Sequence, residues 1–206
     1  MVLAKNSVST AVAAIPLDLV LDTPRCILRM VAEDDISFVW SATRYPGFND
    51  SMRWDRPADP QDLLEVQRCD RARWQAGCAY TFTIVLNPMQ FRVGRIVLRS
   101  EPRPRDWSIG FWIHPEYWGQ GLAVEATQAV VTFGFRRLGA TTIRAAHAAW
   151  NLRSKRVIEK LGMRFVRKIP DGFEKDGAPV AEFEYAFEWH AAGGAKPIRP
   201  FPQVSS

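Results

Sequence analysis

Three cysteines and three histidines in 206 residues leave this chain short of soft metal ligands and of redox chemistry. Cys26, Cys69 and Cys78 are odd in number and not spaced as pairs, which argues against a disulfide framework and for a reduced, cytoplasmic setting. The histidines are scattered, so no metal site is expected. Long apolar runs are also missing, and none approaches the ~18–20 residues of a membrane span. The weakly apolar start is interrupted by Pro16, Asp18 and Asp22 and is not read as a signal peptide. No Gly-Lys-Ser/Thr and no three-glycine dinucleotide fingerprint occurs, which excludes two well-known phosphate loops. There is no internal repeat.

What is present is an ordinary globular balance, 47% hydrophobic and 24% charged, with eight Trp and twelve Phe. That suits one domain with a sizeable core. The net charge of +5 points to an anionic partner without deciding fold or ligand. Residues 1–20 read as a loose arm, 21–190 as the domain, and 191–206 as a Gly/Pro-rich flexible tail.

Between the ends, strand and helix patterns alternate. Arg25–Met30 reads as a strand and Ala32–Thr43 as a helix with acidic residues in its first turn. Arg44–Pro60, broken by prolines, reads as a long loop, and such loops in compact domains tend to be functional or disordered. A helix over 59–77 follows, with Asp59 as a candidate cap and Gly77 near its end. Three strands, "AYTFTIVL", "FRVGRIVL" and "WSIGFWIH", form an antiparallel meander. Helical spacing of Leu122, Ala126, Ala129, Val130 and Phe133 marks the next helix, with Glu125, Gln128, Thr132 and Arg136 as its polar stripe and Gly139 as its C-terminal cap. After the strand "TTIRAAHA", Asn151 caps a further helix that Gly162 ends. The strands "RFVRKI" and "VAEFEYAFEW" close a mixed α/β pattern.

Chemistry concentrates around "PEYWGQGLAVEA". Glycines directly before a helix combine backbone freedom with unpaired N–H groups and a positive dipole end, which makes an anion site, most often for phosphate. A tight strand-to-helix turn is the plain alternative. Seven basic residues and one acidic residue lie between Arg153 and Lys168; they read as a solvated face or as a phosphate contact. Arg92, Arg95, Arg99, Arg103 and Arg105 form a second basic set, read as edge protection or as attraction for an acidic macromolecule.

Together, "SIGFWIHPEYWGQGLAVEATQAVVTFGF" and "NLRSKRVIEKLGMRFV" resemble the GNAT acetyltransferases, and within them the RimJ/RimL branch that acetylates ribosomal-protein N-termini. The likeness is specific over residues 107–166 and looser over 20–190. It implies a single α/β domain: a mixed, mostly antiparallel sheet with a parallel pair at the cofactor site and flanking helices. It implies an acetyl-CoA-dependent N-acetyltransferase acting on a primary amine, a protein N-terminal α-amine foremost, by direct attack on the thioester. A small-molecule (aminoglycoside or polyamine) acetyltransferase and a non-catalytic acyl-CoA-binding or nucleic-acid-associated module stand as alternatives. No membrane or nucleic-acid partner is expected, and monomer and homodimer are both compatible.

By the same resemblance the backbone of Trp118, Gly119, Gln120, Gly121, Leu122 and Ala123 holds the pyrophosphate. Ile113 and Asn151 border the thioester arm, and Arg156 (or Arg153 or Lys155) meets the 3′-phosphate. Ser154 protonates the leaving thiolate, and backbone N–H groups near Trp112–His114 polarise the thioester carbonyl. Trp54, Arg53 and Phe111 line the acceptor groove. Many members carry a carboxylate just before the Ile-Gly pair, where this chain has Ser108. Glu116, Asp106 or a water chain is then left as the base. Glu125 is expected to support the helix start, and His114 and His147 to be structural.

Overall fold

The computed structural model describes residues 14–189. The tail expected over 191–206 and most of the arm lie outside that range. Eight strands, β1 (Val20–Asp22), β2 (Cys26–Met30), β3 (Ala79–Leu86), β4 (Phe91–Ser100), β5 (Asp106–Ile113), β6 (Thr142–Ala148), β7 (Arg164–Lys175) and β8 (Ala178–Glu188), form one sheet in the order β1-β2-β3-β4-β5-β6-β8-β7. Among the described residues only the β5–β6 pair is parallel. The helices are α1 (Ile36–Thr43), α2 (Asp62–Gln75), α3 (Leu122–Arg137) and α4 (Leu152–Leu161). The mixed sheet with one parallel pair is the architecture expected.

One face of the sheet carries the apolar core. Phe82 and Ile84 of β3, Ile96 and Leu98 of β4 and Ile143 of β6 pack with Val130 and Val131 of α3 and Ile158 of α4. Gly134 lets α3 seat closely, because a Cβ there would stand 2.8 Å from Ile143 and 3.0 Å from Leu98. The pleat sends alternate side chains to the opposite face. Register aligns Thr83, Arg95 and Trp112 in one row, and Thr81, Val97 and Gly110 in the next. This face looks towards α1 and α2.

Several local expectations change. Glu33–Asp35 forms a 3₁₀ turn before α1. Asp35 is fully buried there, accepting from Arg29, Arg92, Thr83 and the Ala32 amide. Helix α2 starts after Gln61; the Asp62 carboxylate accepts the Ala58 and Asp59 amides, while Asp59 accepts the Gln61 amide. Strand β4 lies between β3 and β5, so its arginines protect no edge. Glu125 leaves the polar stripe and is 6% exposed. The described end of the arm is packed: Ile15 is buried, and the Trp74 indole donates to its carbonyl at 3.1 Å. The expected caps do form. Asn151 accepts the Ser154 amide at 3.1 Å, and Gly139 and Gly162 adopt φ of 65° and 82°.

Candidate active site

Strand β5 and strand β6 pair over three positions only, from Asp106–Thr142 to Ser108–Arg144. Beyond Ser108 they diverge while β5 continues along β4 to Ile113 and β6 along β8 to Ala148. The His114 amide donates to Val93 of β4 at 2.8 Å. Antiparallel alternation then turns the N–H groups of Trp112 and Gly110 towards β4; of the odd-numbered amides, Ile109 closes the parallel ladder on Arg144, while Phe111 and Ile113 face the open side. Of the Trp112–His114 amides expected to polarise a carbonyl, Ile113 supplies the one that faces the gap.

At the mouth of that gap, β5 runs through a 3₁₀ turn (Pro115–Tyr117) into the glycine loop. The Trp118 indole donates back to the Ile113 carbonyl at 2.7 Å. Gly119 and Gly121 have φ of 78° and 79°, the left-handed region that L side chains avoid. Gly121 is the residue that turns the chain into α3. Among the described residues no protein acceptor meets the amides of residues 119–124. Such a run of free N–H groups at a helix start suits an anion.

This turn is braced from far along the chain. The Arg25 guanidinium donates to the Gln120 carbonyl at 3.0 Å and to the Glu125 carboxylate at 2.7 Å. The same carboxylate accepts the Arg25 amide at 2.8 Å and the Thr23 hydroxyl at 2.7 Å. Glu125 thus supports the helix start, as expected. Thr23 and Arg25 escaped sequence reading because no local pattern links residues 100 positions apart.

The three basic candidates on α4 separate. The Arg153 guanidinium stacks 3.9 Å over the Trp118 ring, and Lys155 pairs with Glu159 at 2.7 Å. Arg156 is exposed and has no ion pair among the described residues.

Behind the gap lies a cavity of about 900 Å³. Phe111, Asn151 and Ser154 line it, with Arg53 and Trp54 of the long loop. The Asn151 amide donates to Ser51 of that loop at 2.8 Å, while its oxygen caps α4. The Ser154 hydroxyl has no protein partner among the described residues. Arg53 makes a bidentate pair with buried Glu182. Lys175 of β7 holds the loop by donating to Trp54 carbonyl at 3.3 Å and Asp55 at 2.9 Å. Ser108 also faces the cavity.

Glu116, His114 and Asp106 stand apart from it. The Glu116 carboxylate accepts the Tyr45 hydroxyl, a bond that raises the tyrosine pKa, and does not line the cavity. His114 Nδ1 accepts the Glu116 amide at 3.3 Å, so Nε2 carries the proton and donates to Ser41 at 3.1 Å. The Ser41 hydroxyl in turn donates to Phe38 carbonyl. Burial pushes the His114 pKa down, and both ring nitrogens are engaged. Asp106 lies 3.6 Å from Arg144. His147, by contrast, lines the cavity; its Nδ1 donates to the Ala148 carbonyl at 2.8 Å, its ring packs against Tyr185, and its Nε2 is buried with no hydrogen-bond partner among the described residues.

Comparison with known proteins places this geometry. Residues 25–164 match the family described as acetyltransferase (GNAT) domain. The uncharacterized N-acetyltransferase YnaD of Bacillus subtilis is 33% identical over 100 residues, which span 47% of this chain and 59% of that protein. RimJ of Mycobacterium smegmatis, solved in complex with a CoA-disulfide, superimposes with a TM-score of 0.70 at 22% identity, over 82% of this chain and 85% of its own. The Salmonella typhimurium acetyltransferase that modifies the N-terminal serine of ribosomal protein L7/L12 gives 0.75 at 16% identity, over 84% and 100%. At those identities the two structures share the fold.

Proposed function

The chain belongs to the GNAT acetyltransferases, and from that premise we propose that it moves the acetyl group of acetyl-CoA onto a primary amine, a protein N-terminal α-amine foremost. Membership makes it an acyltransferase. The observation that carries the finer reading is the meeting of two features: the open edge of β5 and the glycine turn whose free amides lead into α3.

Acetyl-CoA fits these residues. Its pyrophosphate needs N–H donors at a positive helix end, which Gly119–Ala123 offer. Its extended diamide arm can pair with a free strand edge such as Phe111–Ile113, bordered by Asn151. Arg156, exposed and unpaired, would meet the 3′-phosphate. Bound there, the group supplies an acyl thioester, from which acetyl passes to the amine nitrogen as the carbon–sulfur bond breaks. The Ile113 amide would donate to the carbonyl oxygen as charge develops on it. The Ser154 hydroxyl, free of protein partners, would give a proton to the departing sulfur. Trp54, Phe111 and Arg53 would bound the acceptor.

The choice of α-amine rests on the base. Glu116 is held by Tyr45 and Asp106 lies beside Arg144, while Ser108 occupies the position where many relatives carry a carboxylate. An α-amine, with pKa ~7.7–8.0, is roughly a tenth neutral at pH 7 without such help, whereas a lysine at ~10.4 is neutral to well under about a thousandth. Thiol release with peptides bearing free α-amines, Nα-blocked lysine peptides, polyamines and aminoglycosides tests the reading. The free α-amines should turn over fastest. Turnover confined to polyamines or aminoglycosides would reassign the acceptor, and no release with any amine would favour the non-catalytic alternative.

A further inference from the structure

Arg95 is an anomaly of burial. It sits on the central strand β4, is 7% exposed, and lines the cavity. Its Nε and Nη2 are sealed from solvent with no hydrogen-bond partner. Neither nearby carboxylate comes within ion-pair distance of it. Asp35 is consumed by Arg29, Arg92 and Thr83. Asp70 of α2, also buried, has Arg73 at 3.7 Å and feels the positive charge of Arg95 and Arg99 as well. Three guanidiniums therefore surround one carboxylate on the cavity floor; Glu101 offsets part of Arg99, and Glu182 is already paired with Arg53. One helical turn from Asp70, the Gln67 amide is likewise buried with no partner.

An unpaired buried charge is among the costlier things a fold can carry, and a planar guanidinium fork matches a carboxylate or phosphate in bidentate fashion. We propose that Arg95 receives an oxyanion of the acceptor, so that the amine to be acetylated belongs to a molecule carrying a carboxylate or phosphate. This rests on the acetyltransferase reading above and narrows its substrate class. Position sets the spacing. Arg95 is the register partner of Trp112, next to the open edge where Phe111 and Ile113 present their amides. Neighbouring strands lie ~4.8 Å apart, so amine and oxyanion are separated by roughly 5–10 Å. An acidic side chain at the second residue of a peptide spans that distance from its α-amine.

The test compares acceptors differing only in the anion: peptides with Glu or Gln at the second position, and an aminoalkyl phosphate against the matching alkylamine. With wild type, the anionic member should show about ten- to hundredfold higher kcat/KM, the scale of a charge-assisted hydrogen-bonded pair. Arg95→Met should erase that preference, leave the neutral member within about threefold, and leave Tm unchanged or raised, because a buried unpaired charge has gone. Arg95→Lys, which keeps the charge and loses the fork, should recover part of the preference. Which pair reacts separates carboxylate from phosphate. A second readout needs no turnover: with saturating acetyl-CoA, glutarate or inorganic phosphate should raise the Tm of wild type and not of Arg95→Met. Equal shifts in both proteins, no shift in wild type, or a preference that survives Arg95→Met would overturn the proposal. If the shifts differ as expected while no peptide is acetylated, the oxyanion receptor stands and the α-amine assignment falls.

Discussion

Asp35 has no exposed surface and gathers Arg29, Arg92, Thr83 and the Ala32 amide around one carboxylate. Burial alone would raise its pKa; the hydrogen bonds from Arg29, Thr83 and Ala32 and the Arg29 charge overcome that and hold it at about 2. A carboxylate depressed in the folded state contributes stability above its unfolded pKa of about 4, and the contribution vanishes as pH falls towards 2; it amounts to about 2 kcal/mol. Urea midpoints should therefore fall between pH 4 and 2 in wild type. Asp35→Asn should lose about 3 kcal/mol at pH 7 by stranding two arginines, and should flatten the acid dependence. An unchanged acid slope in that variant would refute the assignment. Ser154 is the other residue with a single-atom consequence. Its hydroxyl faces the cavity unpartnered, and a thiol with pKa near 8.5 departs tolerably without help. Ser154→Ala should therefore lose about a hundredfold in kcat, the lower end of general-acid effects, with acetyl-CoA affinity little changed. Asn151→Ala should instead weaken affinity first. Full turnover in Ser154→Ala would leave Tyr117 or water as the proton donor.

At the scale of elements, the start of α3 depends on Gly121 at φ 79°. A Cβ there meets only Arg25 at 3.6 Å, so the obstacle is backbone strain rather than space. Gly121→Val should cost about 1–2 kcal/mol in stability and abolish acetyl-CoA binding by calorimetry, because the amides of residues 119–124 would no longer converge. Unchanged affinity would separate this turn from the cofactor. The turn, α3 and α4 were legible in the sequence because their signals are local: 3.6-residue spacing, Gly139 and Gly162 past the ends, Asn151 at the start. The outer half of β7 was not. Pro170 and Gly172 look like a strand's end, yet β7 is the sheet's edge strand, where proline costs no ladder bond and the register simply shifts between Ile169 and Phe173. The brace of Arg25 on Glu125 and the stranded guanidinium of Arg95 were equally hidden. Each depends on which distant residues the sheet brings together, so neither leaves a period or a motif.

For the molecule as a whole, the three residue pairs joining β5 to β6 are, among the described residues, the only ladder pairs between five strands on one side and three on the other. The consequence is kinetic and can be read with deuterium. Ile113 has a buried side chain, yet with Phe111 it directs its amide into the gap, where no strand among the described residues accepts it. Protection follows the hydrogen bond rather than the side chain's depth. In the free protein these two amides should label within seconds, while Gly110 and Trp112, alternating with them and bonded to β4, stay dark for hours. With acetyl-CoA present the Phe111 and Ile113 amides should slow to match their neighbours, turning a dotted pattern along one strand into a continuous one. Uniformly slow labelling along Gly110–Ile113 in the free protein would mean that the gap closes in solution.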